Sequence, residues 1–195
     1  MLEFTKEQIQ AFTEKQIPAL TQEQIQAFTQ EQIKNFWLWQ IQSFTHEQIP
    51  ALTQEQIKNF WLYQIQAFTE EQIPFFIKEQ IQAFWPEQIK NFWSWQIKSF
   101  TKEQIPALTQ EQVISLTTEQ IEALTKEQIQ EFTENQIKAL TQEQITWFTS
   151  EQIKNSPQLL LRKEEIKTFI SKEINNYNLN NKTLNSKIKD NERIL

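Results

Sequence analysis

From Phe4 to Asn155 the sequence repeats every eight residues, and that period removes most of the folds open to a chain of this length. The unit reads F-T-x-E-Q-I-x-A and occurs nineteen times. Position one is Phe or Leu in every unit, from Phe4 and Phe12 to Phe148, and position five is Gln in every unit, from Gln8 to Gln152. Position six is Ile in eighteen units and Val113 in the other, while Thr at position two and Glu at position four each occur in fourteen. Self-similarity of this kind decides the architecture before any local propensity does.

A single long helix does not satisfy the pattern. Eight α-helical residues turn through about 800°, so an apolar stripe drifts by about 80° per unit and no face stays buried. Pro18, Pro50, Pro74 and Pro106, each following a position-six Ile, would break it in four places. The chain also has no glycine, which removes the usual two-residue hairpin turns and argues against an all-β fold. Short helices, each with its own start signal, remain. Thr at position two is a good N-cap, and Gln three residues later completes a capping box. Pro86 occupies the first helical slot, where proline is tolerated best. A helix over positions three to eight is about 9 Å long and unstable alone in water. It persists only by packing its Ile and the next Phe or Leu on neighbouring units, each such burial contributing ~1.5–3 kcal/mol. The expected fold is therefore all-α, an α-solenoid or superhelix of nineteen short capped helices.

A slower rhythm speaks to the coil period. The Ile-Pro units are numbers two, six, nine and thirteen, and Lys-Asn-Phe-Trp junctions occur at Lys34–Trp37, Lys58–Trp61 and Lys90–Trp93. If like residues stack in columns, these spacings give about 3.5–3.7 units per superhelical turn. Duplication of multi-unit blocks would leave the same rhythm without structural meaning. The array ends at Ser156-Pro157, so residues 4–155 read as the solenoid. Apolar residues at Leu159, Leu160, Ile166, Phe169, Ile170 and Ile174 have helical spacing and suit a capping helix over 156–175. The Asn/Lys-rich segment 176–195 reads as a flexible tail. The first unit has no cap before it, an open end that suits self-association or continuation of a longer array.

The units LTQEQI, LTTEQI and LTKEQI resemble the T-x-E-Q-[IV]-x-A-[LF] octapeptide arrays of large bacterial tandem-repeat proteins. That resemblance covers residues 4–155 and implies a repeat type, not an activity. Leu108–Val113 (LTQEQV) also looks like the opening of the DNA-reading repeats of TAL effectors. Those repeats are longer, carry a glycine-containing base-reading loop and sit on a basic scaffold, none of which is present here.

Charge argues the same way. The net charge of −6 divides into −9 over residues 1–155 and +3 over 156–195, and an acidic array is a poor partner for a phosphate backbone. The absence of cysteine excludes disulfides and thiol chemistry, and His46 is the only histidine, so no metal set, cofactor or catalytic triad is expected. No transmembrane stretch and no signal peptide can be read, which points to the cytoplasm or a non-standard export route.

The nineteen glutamines could form a ligand-binding ladder, but capping and inter-coil hydrogen bonds explain them more simply. The position-four glutamates complement helix dipoles, and identical repeats do not supply the unlike environments that a carboxylate pair needs for catalysis. His46 falls at a surface position. Asn181-Lys182-Thr183 fits a glycosylation triplet, a pattern common by chance.

The aromatic substitutions stand apart. Trp37 and Trp39, Trp61 and Tyr63, and Trp93 and Trp95 replace Thr and Glu in three units, and Trp85 and Ile77 displace two further cap threonines. Losing a Thr cap costs about 1 kcal/mol, so a compensating role is expected. The competing readings are packing between coils and a binding strip, since Trp and Tyr dominate interaction hot spots. Function is expected to be a non-catalytic scaffold that binds a protein or peptide through Trp37, Trp39, Trp61, Tyr63, Trp85, Trp93 and Trp95. The alternative partner is the chain itself, strip to strip or stacked end to end into filaments. A repeat-built lytic or carbohydrate-active enzyme is the third and least supported reading.

Overall fold

The computed structural model describes residues 4–192, with side chains through residue 175. Ten of the octads open with the full cap that their Thr predicts. Thr5 is extended (φ −71°, ψ 167°), its hydroxyl accepts from the Gln8 backbone N–H, and Gln8 Oε1 accepts from the Thr5 N–H at 2.8 Å. The described residues hold fifteen short α-helices: α1 (Lys6–Gln10), α2 (Gln22–Ala27), α3 (Gln30–Ile33), α4 (Leu38–Gln42), α5 (Gln54–Asn59), α6 (Leu62–Ile65), α7 (Lys78–Ala83), α8 (Pro86–Asn91), α9 (Ser94–Lys98), α10 (Gln110–Ile114), α11 (Thr118–Ala123), α12 (Lys126–Gln130), α13 (Glu134–Ala139), α14 (Gln142–Trp147) and α15 (Ser150–Lys154). A long helix, α16 (Pro157–Glu192), follows, and no strand occurs among the described residues.

The helices wind into an all-α solenoid in which each lies on one three units further along. Thus α3 packs on α5, α5 on α7, α6 on α8, α9 on α11 and α11 on α14. Glutamine ties the coils together. Gln40 Nε2 donates to the carbonyls of Ile9 (2.8 Å) and Phe12 (3.0 Å), and Gln96 Nε2 to those of Ile65 (3.0 Å) and Phe68 (2.7 Å). The pattern continues to Gln152, which donates to Ile121 and Leu124, always 31 and 28 residues back. In eight-residue units those offsets are just under four and three and a half. They bracket the spacing of the Ile-Pro and Lys-Asn-Phe-Trp units, which therefore recur about once per turn of the coil.

The same bonds explain how helices end without glycine. A helix leaves its last carbonyls unpaired, and a left-handed glycine commonly closes the end. Here Phe28, Phe60 and Phe92 simply return to the extended region (ψ 130°, 133° and 138°), and no described residue has positive φ. The carbonyls left at the exit are taken by a glutamine amide from the next coil. One side chain caps the start of its own helix and the end of another, one turn of the coil away.

Position six is the core: every Ile from Ile9 to Ile153, with Val113, is buried. Position one lines it with rings that meet edge to face from unit to unit. Phe60 and Phe68 centroids lie 5.3 Å apart at 81°, Phe68 and Phe76 5.0 Å at 80°, and Phe84 and Phe92 5.2 Å at 84°. Such pairs contribute about 0.5–1.5 kcal/mol beyond area burial. Beyond Phe100, Leu108, Leu116 and Leu124 fill the same buried column.

Two expectations are corrected. Not all nineteen units are α-helical. Ile49–Ala51, Ile73–Phe75 and Ile105–Ala107 are 3-10 turns, and the Pro18 unit has only turns. Proline at position seven has no N–H to give the carbonyl four residues back, so the unit closes by three-residue bonds such as Ala51 N–H to Gln48 C=O (3.1 Å). The C-terminal helix also runs past the boundary expected at 175, to Glu192. Asparagine is a weak helix former, yet no Pro or Gly stops the helix after Pro157. Residues 193–195 of the expected tail lie outside the described residues. The start of α16 lies over α13, α14 and α15, burying Leu159 and Ile166 on the last coil.

Candidate interaction surface

At position two the chain sits on the rim of each coil, about to enter a helix. Where Thr stands outside the Ile-Pro units, its hydroxyl caps; at Thr13, Thr45, Thr69 and Thr101, and where Trp37, Trp61, Ile77, Trp85 or Trp93 stands, only the glutamine half of the box is left. The Trp37 N–H donates to Gln40 Oε1 at 2.9 Å, and the Trp61 and Trp93 N–H groups to Gln64 and Gln96 at 2.8 Å. A tryptophan side chain has no acceptor to return. The helices form nonetheless, because the glutamine keeps its three bonds.

The backbone directs these side chains outward. Trp37, Trp39, Trp61, Tyr63, Trp85, Trp93 and Trp95 are 39–55% exposed, in a molecule that buries nearly every position-one Phe and Leu. None of the seven is in the core. Trp37, Leu38, Trp61 and Tyr63 line one surface groove of about 380 Å³, which joins the fifth and eighth units across a coil. Lys34 spans its floor: Nζ is 2.8 Å from Glu31 and 5.5 Å from the Trp61 ring centroid. Trp95, from the twelfth unit, borders a second depression of about 330 Å³ with Gln42 of the fifth unit and Gln66 of the eighth. Trp85 starts α8, which packs on the α6 helix that Trp61 starts. The seven residues therefore fall on neighbouring coils.

Leu38 (43% exposed) and Leu62 (42%) belong to the same surface and were not singled out from the sequence. Their signal was available: both put an apolar residue at the normally polar position three, in aromatic units. His46 is exposed as expected, and it stacks flat on the Phe75 ring, with centroids 4.1 Å apart and planes at 8°.

Position four also sets the local charge. The carboxyls of Glu7, Glu23, Glu47, Glu71, Glu103 and Glu119 are held below the ordinary glutamate range, first by their own backbone N–H and then by the cap Thr hydroxyl. Trp39, Tyr63 and Trp95 occupy that position, so these three units lack the carboxylate there. Among the described residues no group of three or more His, Asp or Glu is placed to hold a metal ion, and no helix is long and apolar enough to cross a membrane.

Minimal capped helices wound coil on coil, sealed at one end by a long helix, define the chain as an α-solenoid. No known protein family, no curated protein and no solved structure matches it.

Proposed function

We propose that the protein is a non-catalytic scaffold that binds a protein or peptide partner through the aromatic column of units five, eight, eleven and twelve. The observation that carries this reading is exposure at a cost. Four tryptophans take cap positions, each giving up a hydroxyl bond of about 1 kcal/mol, yet they leave much of their ring surface in water. Packing does not repay that loss, whereas a partner covering the rings would. Large exposed apolar patches mark interaction sites, and Trp and Tyr supply most hot-spot energy. With Trp39, Tyr63 and Trp95 at position four, those units lack the carboxylate that an apolar peptide would otherwise have to desolvate.

Selection from a displayed peptide library tests this. The wild-type array should enrich extended, apolar-rich peptides. A variant with Thr at 37, 61 and 93 and Glu at 39, 63 and 95 should stay folded and enrich none. Equal enrichment by both proteins removes the column as the site.

End-to-end stacking into filaments is the second reading. It is favoured by the first coil, where Gln8, Gln16 and Gln24 cap their own threonines and, among the described residues, no carbonyl accepts from their Nε2 groups. Against it, α16 lies over the last coil, where the complementary carbonyls would have to be reached. Light scattering that grows without limit with concentration would favour filaments; a fixed small mass favours the binder.

A further inference from the structure

Beyond Ile166, α16 leaves the solenoid. All described residues from Lys167 to Asn175 are exposed, including Ile170 (42%) and Ile174 (54%), while the helix continues to Glu192. Residues 167–192 thus extend for about 39 Å at 1.5 Å per residue.

The sequence of that extension has an apolar repeat unlike the octads. Ile170, Ile174, Tyr177, Asn181, Leu184 and Ile188 follow one another at spacings of four, three, four, three and four residues. In heptad terms Ile170, Tyr177 and Leu184 take d positions, and Ile174, Asn181 and Ile188 take a positions. Such spacing keeps one seam on one face of a supercoiled helix. Ile174 and Ile188 at a with Leu184 at d favour two strands, Asn191 ends the seam at d, and Asn181 at an a position fixes register by facing its own counterpart.

We infer that residues 170–192 form one strand of a parallel, two-stranded coiled coil with a second copy of this chain. Flanking charges fit that occupant. In parallel register Lys187, at g, stands opposite the following e position of the second copy, which is Glu192. The other e and g positions are Ser171, Asn178, Asn185, Glu173 and Asn180, which bring no like charges together. An antiparallel pair would set Asn181 against an apolar d position and lose its matched partner. Phe169 lies one position before the seam and stays outside it. The dimer holds two solenoids at the same end and does not depend on the aromatic column.

Sedimentation of the full chain tests the inference. A dimer at twice the chain mass of 23.5 kDa is expected at micromolar concentration. Ile174→Lys combined with Leu184→Lys should weaken it at least roughly 100-fold, while the thermal melt of the solenoid stays unchanged. The chain has no cysteine, so Asn181→Cys provides a clean register probe: mild oxidation should convert the dimer into a covalent one. A wild-type monomer, a dimer indifferent to the double lysine variant, a loss of solenoid structure in that variant, or failure of the cysteine variant to cross-link would each overturn it.

Discussion

Gln80 shows what one side chain does in this fold. Its oxygen accepts the Ile77 N–H at 2.8 Å, and its nitrogen donates to the carbonyls of Ile49 and Leu52, both at 2.7 Å. The carboxamide is buried with three bonds made, which accounts for Gln from Gln40 to Gln152 even where Thr is lost. Glutamate could accept at the cap but would turn a charge toward two carbonyls. Gln80→Ala should cost about 3 kcal/mol, at roughly 1 kcal/mol per bond, and Gln80→Glu more. Gln8→Ala, at an exposed position with one cap partner on its amide oxygen, should cost about 1 kcal/mol or less. Urea midpoints of the variants would show this order; equal losses at both sites would mean that the inter-coil bonds contribute nothing.

At the scale of the element, the octad carries its own boundaries. Thr109 and Thr117 both accept from the glutamine N–H three residues on, so Thr109→Ala and Thr117→Ala should each lower stability by about 1 kcal/mol with little change of shape. A circular dichroism melt unchanged in both variants would mean these hydroxyls do not hold the helices. The lowered glutamate pKa values add a pH dependence. A carboxyl whose folded pKa lies below its unfolded value stabilises above the unfolded pKa, and that contribution is lost as pH falls through the folded one. The array should therefore be less stable below the carboxylate range than at neutral pH, and a melting temperature that rises on acidification would contradict this sign.

Much of this was legible in the sequence. Thr, Gln, Ile and Phe at fixed offsets specify cap, tie and core, because capping works over three residues. The glutamine's second set of partners lies 28 and 31 residues away, and only the slow spacing of proline and tryptophan units hinted at it. The 3-10 turns were less visible, since a unit with proline at position seven keeps the Thr and Gln of the cap in sequence, although at Thr13, Thr45, Thr69 and Thr101 only the glutamine half of the box forms. Helix α16 was underestimated because Asn-rich composition resembles a tail while nothing in it ends a helix. Exposure at positions two and four was not legible, for it depends on which way the coil turns the helix starts.

Across the whole molecule, the two roles fall on different positions of one octad. Positions one, five and six build the coil; positions two and four of a few units face outward. Because each unit rests on others three to four units away, stability should rise with unit number. A three-unit peptide should be unfolded in water, and one fully helical by circular dichroism would mean that packing between coils is not what holds the array. The separation of roles has one direct test: the melting temperature of the full chain carrying Trp37→Thr, Trp39→Glu, Trp61→Thr, Tyr63→Glu, Trp93→Thr and Trp95→Glu. Three helix caps are regained, at about 1 kcal/mol each, and no core residue is touched, so the melting temperature should be unchanged or higher. A variant that melts well below the parent, or does not fold, would show that the rings hold the coils together and would remove the interaction surface with them.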